Sequence, residues 1–266
     1  MVDRQYALIG VEGNHDQAFL CRILYKCLGF SKFDGKISDL DAFWRRNKFV
    51  PNYPSDSGKL YIRLDTPSIL HKDDVSVAVY AGEGSKLITN LSAKFSDMDP
   101  SMLSAFGIVA DADKESPEKV AENYHAGFKE FFPDFPHKPR VLAETSPRLG
   151  LYVLPDNSNQ GVLDTLLLNC GKSAYPEFMQ RAESYIDQFS QEEIQKIGWK
   201  PFDREKALVA TVASVLKPGK TNTVSIIDNN WVCSETVAAI PELNNIVSFL
   251  KSLLSVDNNS ALYNSP

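Results

Sequence analysis

With 266 residues and a net charge of −6, the chain can fill one large domain or two small ones, and its acidic balance excludes a protein that coats nucleic acid by charge alone. Its four cysteines (Cys21, Cys27, Cys170 and Cys233) form no C-x-x-C pair, which argues against a zinc or metal–thiolate site. No charged leader followed by a long apolar region is visible, nor any run of about 18 apolar residues, so the expectation is a cytoplasmic protein that does not span a membrane.

The first apolar run, Tyr6–Val11, is short and nearly continuous and stops at Glu12-Gly13, the pattern of a strand buried on both faces. Asp16–Leu28 carries Phe19, Ile23, Leu24, Cys27 and Leu28 at helical spacing, and Gly29 closes it. Residues 31–74 read as an insertion, irregular and polar at first, with a short helix near Leu40–Arg46 and a short extra strand at Leu60–Leu64. Val75–Tyr80 is a strand, followed by the Gly82-Glu-Gly84-Ser85-Lys86 turn and a helix to about Phe95. Ala105–Ala110 is the third core strand and runs directly into Asp111-Ala-Asp113. Ser116-Pro117 starts a helix bearing Val120, Tyr124 and Phe128, and Leu149–Leu154 is a fourth strand ending at Pro155-Asp156.

Strands alternating with helices predict a mostly parallel α/β sheet flanked by helices. Beyond about residue 164 the pattern becomes mainly helical, with Leu163–Leu168, Tyr175–Phe189, Glu205–Leu216 and Ile246–Leu254 as the segments. The third of these is apolar almost all round and is expected to be buried, with Trp199 and Trp231 as anchors of the helical part. The chain thus divides into an α/β part (1–164) and a helical part (165–266), standing apart or packed as one unit.

Ligands of such sheets sit beyond the carboxyl ends of the strands, and Glu12, Gly82, Asp111 and Asp156 each follow a strand end. Asp111 and Asp113 are two apart, so in an extended segment their side chains point the same way. Paired carboxylates repel, and a hard cation such as Mg²⁺ or Mn²⁺, which takes oxygen ligands, relieves this. A D-x-D pair is also a common solvated turn, so weight comes from its combination with Glu12 at a second strand end.

Val11-Glu-Gly-Asn-His-Asp16 followed by Phe19-Leu20, together with Ile108-Val-Ala-Asp-Ala-Asp113, resembles the two motifs of Toprim (topoisomerase–primase) domains over roughly residues 5–165. A nearer resemblance is to a small Toprim-like family of unknown function, in which Pro155-Asp156-Asn157 and Gly161-Val-Leu-Asp164 form a further acidic feature. The resemblance implies a Toprim-like fold, Glu12 as general acid or base, and Asp111 and Asp113 as ligands of Mg²⁺ or Mn²⁺. Glu115 matches the last acidic position of the longer topoisomerase motif but equally reads as an exposed helix-start residue. Asp156 and Asp164 are candidates for a second cation, or else loop and helix caps. The zinc module of primases is missing, and no tyrosine has the context of a topoisomerase nucleophile. Ser214–Thr221 misses the phosphate-loop pattern at its first position, with Pro218-Gly219 reading as a helix stop.

Gly82, Gly84 and Lys86 open a helix after a strand and could bind phosphate through backbone N–H groups; His15, in the Glu-Gly loop, could contact phosphate or move a proton. Arg45, Arg46 and Lys48 with Trp44 and Phe49 form a candidate nucleic-acid patch, or a solvated helix face. These readings converge on a metal-dependent phosphodiester-processing enzyme, most simply a Mg²⁺-dependent nuclease acting on DNA or RNA. The alternatives are a non-catalytic module that binds nucleic acid or a protein partner, and a flavodoxin-like nucleotide enzyme using the Gly82–Lys86 loop.

Overall fold

The computed structural model describes residues 4–46, 49 and 67–256. The expected strand at Leu60–Leu64 and the basic residue Lys48 lie outside the described residues. Among the described residues seven strands form one sheet: β1 (Gln5–Val11), β2 (Ser31–Lys32), β3 (Ser68–Lys72), β4 (Val75–Ala81), β5 (Ala105–Asp111), β6 (Leu142–Ala143) and β7 (Arg148–Leu154), in the order β2-β3-β4-β1-β5-β7-β6. The four inner strands β4, β1, β5 and β7 are mutually parallel, and the outer pairs are antiparallel. The fold is therefore α/β with a mostly parallel sheet.

The inner strands are the four apolar runs of the sequence. Their near-continuous hydrophobicity arises because both faces of the sheet are covered, so that each side chain, pointing up or down, enters a core. On one face, Ala7, Ile9 and Val11 of β1 and Val77 and Val79 of β4 join a core completed by α1 (Asn14–Lys26), α5 (Leu163–Ala174), α6 (Pro176–Ile186), α8 (Asp203–Leu216), α9 (Asn222–Asp228) and α11 (Pro241–Leu254). On the other, Leu8, Ala78, Phe106 and Ile108 meet α2 (Ala42–Arg46), α3 (Leu87–Asp97) and α4 (Pro117–Phe128). Phe106 is the centre of an aromatic group there, stacked on Phe132 at 4.9 Å and edge-on to Phe95 and Phe128. Trp44 is wholly buried and donates its indole N–H to Ser76 Oγ at 2.8 Å, which satisfies both buried polar groups.

The helical segments after residue 164 share one apolar core with the first strands rather than closing around a separate one. Helix α11 packs on β5 and β7. A Cβ on Gly107 of β5 would stand 2.5 Å from Leu253 Cδ2, so a larger residue here would make the Leu253 side chain shift. Arg148 donates to the Leu253 carbonyl at 2.8 Å. Helix α8 is buried on one side through Leu208, Val209, Val212 and Ala213, with Val215 exposed, so it is less enclosed than its apolar sequence predicts. Trp231 is fully buried and bonded to Ser225 Oγ at 3.1 Å, while Trp199 packs against the same core partly exposed. The chain stops α8 at Leu216, ahead of Pro218-Gly219.

The direction of chain travel fixes where a ligand site can lie. From β1 the chain proceeds to the β2-β3-β4 side of the sheet; from β5 it proceeds to the β7-β6 side. Neighbouring strands whose connections diverge leave a crevice at their carboxyl ends. In this sheet that crevice lies between β1 and β5, whose last residues are Val11 and Asp111.

Candidate acidic site

The crevice gathers carboxylates. Glu12 follows β1, Asp16 lies in the first turn of α1, Asp111 ends β5, and Asp164 lies in the first turn of α5. Each of three carboxylates is held by a hydrogen bond. The Tyr124 hydroxyl of α4 donates to Glu12 Oε1 at 3.1 Å, the Gly13 N–H to Asp16 Oδ2 at 2.8 Å, and the Leu163 N–H to Asp111 Oδ1 at 2.8 Å. Asp16 and Asp164 are 8% and 7% exposed, an unusual burial for acids. No ion pair engages Glu12, Asp16, Asp111 or Asp164 among the described residues.

The electrostatics record this crowding. Burial, then the charges of Asp16 and Glu12, lift Asp111 well above the usual carboxylate range. Burial and the charge of Glu12 push Asp16 up to about 7. Glu12 is raised by burial against the opposing Tyr124 hydrogen bond, with Asp113 adding to the rise. Asp164 is raised by burial, and the nearby His15 and Lys206 oppose the rise. Burial, followed by the charge of Glu12, drives the Tyr124 phenol far upward, so that it keeps its proton and serves as a donor.

Asp113 departs from the expected geometry. The segment is not extended there: Asp113 has φ +51° and is exposed, while Asp111 is half-buried. The turn is held by reciprocal backbone bonds with Gly161, Asp113 N–H to Gly161 O at 2.8 Å and Gly161 N–H to Asp113 O at 3.1 Å. The two aspartates therefore do not stand side by side as strand residues, although the charge of Asp113 still acts on both Glu12 and Asp111.

Other expected members lie elsewhere. Glu115 is exposed, just ahead of α4, and pairs on the surface with Lys119, four residues on, at 2.6 Å. Asp156 caps its own loop, accepting from the Ser158 and Asn159 backbones and the Asn159 side chain, which holds its carboxyl below the ordinary value despite partial burial. The Gly82 and Gly84 N–H groups donate to Val11 O and Glu12 O at 2.9 and 2.7 Å, so they fasten the loop to β1 rather than forming an anion cradle. A Cβ on Gly82 would lie 2.6 Å from Leu87 Cα, which gives this glycine a packing role. Lys86 pairs with Glu83 on the surface at 3.1 Å. His15 is exposed beside Asp164, at the rim itself. Trp44 and Phe49 of the proposed nucleic-acid patch are core residues with no face free to stack on a base, while Arg45 and Arg46 are exposed.

Two members are given no role by the sequence. Asp16 stands there only as the Asp that closes the Glu-Gly motif, three residues after Gly13. Tyr124 reads as one rung of the apolar stripe Val120–Phe128, and its hydroxyl carries no periodic mark. An all-oxygen donor set suits a hard cation such as Mg²⁺. Among the described residues, no three His, Cys, Asp or Glu side chains already stand disposed to hold a metal ion. No helix among the described residues is long and apolar enough to cross a membrane, and all four cysteines are free.

The chain is similar over 94% of its length to 95% of hypothetical protein PH0156 from Pyrococcus horikoshii OT3, known from a crystal structure, with 18% identity and a TM-score of 0.49. No match was found among curated proteins. The family described as "Protein of unknown function (DUF3226)" matches residues 6–255, nearly the whole chain, and the protein belongs to that family.

Proposed function

We propose that this chain is a divalent-cation-dependent phosphodiester-processing enzyme of Toprim-like character, most simply a Mg²⁺- or Mn²⁺-dependent nuclease acting on DNA or RNA in the cytoplasm. The observation that carries the reading is the gathering of Glu12, Asp16, Asp111 and Asp164, without a cationic ion-pair partner among the described residues, at the crevice between β1 and β5. Buried like charges are costly, and a cation among them removes the cost. A bound cation would polarise a phosphoryl oxygen and acidify water.

Asp111 and Asp16 are the residues that would hold the cation, with Asp113 and Asp164 at its flanks. Glu12 accepts and returns a proton; its raised pKa suits transfer closer to neutral pH, and the Tyr124 hydroxyl fixes its Oε1. His15 and Lys206 beside Asp164 offer hydrogen-bond donors to a phosphate at the rim.

The test is cleavage of single- and double-stranded DNA and RNA in Mg²⁺ or Mn²⁺, with Asp111→Asn purified identically and Mn²⁺ binding measured separately. Cleavage and Mn²⁺ binding both lost in Asp111→Asn support the reading. A variant that cleaves as well as wild type defeats the mechanism. Nucleic acid bound without turnover would transfer the function to the non-catalytic binding module.

A further inference from the structure

A second site lies away from the acidic crevice, in a cavity of about 230 Å³ between α1, the β2–β3 edge of the sheet and α9. It is smaller than the ~300–1,000 Å³ usual for ligand pockets, so it suits a small molecule. Ala18, Leu70 and Ile227 give it apolar walls, and among the described residues its charged lining is cationic, from Arg22 and Lys32. Among the described residues, no acidic residue lines it.

Arg22 is the informative residue. It is only 6% exposed, and Nε and Nη1 donate to the Val232 and Ile227 carbonyls at 3.1 and 2.6 Å. Among the described residues, Nη2 has no acceptor and no carboxylate forms an ion pair with the side chain; Asp228, on the same helix as Ile227, pairs instead with Lys217 at 3.0 Å. A buried guanidinium is ordinarily matched by a carboxylate. Burial accordingly lowers the Arg22 pKa. Tyr25 and Ile227 also line the cavity yet remain 52% and 37% exposed, apolar surface that an occupant would cover.

We propose that this cavity binds a small amphipathic monocarboxylate, its apolar body against Ala18, Leu70 and Ile227 and its carboxylate facing Arg22 and Lys32. The single unengaged guanidinium nitrogen and one amine match one carboxylate, and the apolar walls offer little to a dianionic phosphate. This site stands independently of the phosphodiesterase reading.

The experiment titrates the full chain with octanoate, followed by calorimetry and by the amide resonances of Ala18, Leu70 and Ile227, with octan-1-ol and octylamine as controls. The expected result is saturable octanoate binding that shifts those resonances, about tenfold weaker binding of octanol from the lost charged contact, and none of octylamine. Lys32→Glu, on an exposed two-residue strand, should weaken octanoate by roughly five- to tenfold with the fold intact, and Ala18→Phe should abolish binding by filling the cavity. Absence of saturable octanoate binding to the folded wild type, equal binding of octylamine, or octanoate affinity unchanged in both variants would overturn the proposal.

Discussion

Asp16→Asn tests the electrostatic account of the acidic site without relying on activity. The substitution preserves shape and keeps an oxygen for the Gly13 N–H, 2.8 Å away in the wild type, but removes a buried charge. In the folded protein burial and the charge of Glu12 raise this carboxyl from its ordinary 3.8 to about 7. A folded-state pKa above the unfolded one means that the native state binds the proton more tightly. The resulting stability is complete below about pH 4 and is lost as pH rises to about 7. At ~1.36 kcal/mol per pH unit the loss reaches about 4 kcal/mol at most. Glu12, Asp111 and Asp164 share the same field, so removing one charge also relaxes its neighbours. Metal-free wild-type protein should therefore lose thermal stability between pH 4 and 7.5. Asp16→Asn should match it near pH 4 and melt higher at pH 7.5, by at most roughly 8–16 °C at ~2–4 °C per kcal/mol. Scanning calorimetry at several pH values in a chelating buffer measures this, and adding Mn²⁺ should narrow the gap by raising the wild type. A variant that melts below wild type at pH 7.5, or a difference independent of pH, would refute the reasoning.

Tyr124→Phe removes the donor that lowers the Glu12 pKa, so the acid limb of a pH–rate profile should move to higher pH; stability, measured by urea unfolding, should fall by about 1–3 kcal/mol. Glu115→Gln should leave cleavage and Mn²⁺ binding unchanged and cost less than about 1 kcal/mol, because only its exposed pair with Lys119 is lost. Gly82→Ala drives a methyl group against the Leu87 backbone and should destabilise by about 1–3 kcal/mol in chemical denaturation. Trp231→Ala opens a large hole in the core beneath α5, α8 and α9 and should cost about 3–5 kcal/mol, measured the same way.

The inner strands are legible in the sequence because burial on both faces leaves a mark that no edge strand carries. Tyr6–Val11, Val75–Tyr80, Ala105–Ala110 and Leu149–Leu154 are each within one or two residues of β1, β4, β5 and β7. By contrast β2 and β6 are two residues long, too short for any period, and β3 reads Ser-Ile-Leu-His-Lys with no clean alternation. The longer helices after residue 164 are visible as segments, but α7 (Gln191–Ile197) buries no residue, and α10 (Ser234–Ala239) only Thr236, so neither shows an apolar stripe. In the site, Glu12 and Asp111 are legible from strand ends. The orientation of Asp113 is not, because a non-glycine residue at φ +51° is held by its bonds to Gly161, 48 positions away along the chain. Glycines are ambiguous for a similar reason: a loop that approaches a helix closely and a loop that cradles an anion both call for Gly82.

The seating of α11 bears on how the protein is made. Its Leu253 rests on Gly107 of β5, its Glu242 carbonyl accepts from the Tyr152 hydroxyl of β7 at 3.3 Å, and Arg148 reaches its last turn. During synthesis, β5 and β7 leave the ribosome about a hundred residues before that helix does, roughly 5–20 s at ~5–20 residues per second. For that interval the sheet presents an uncovered apolar face, the kind of surface that chaperones recognise and that draws nascent chains together. A polypeptide truncated near residue 164 would hold that face open permanently, so it should aggregate where the longer chain folds.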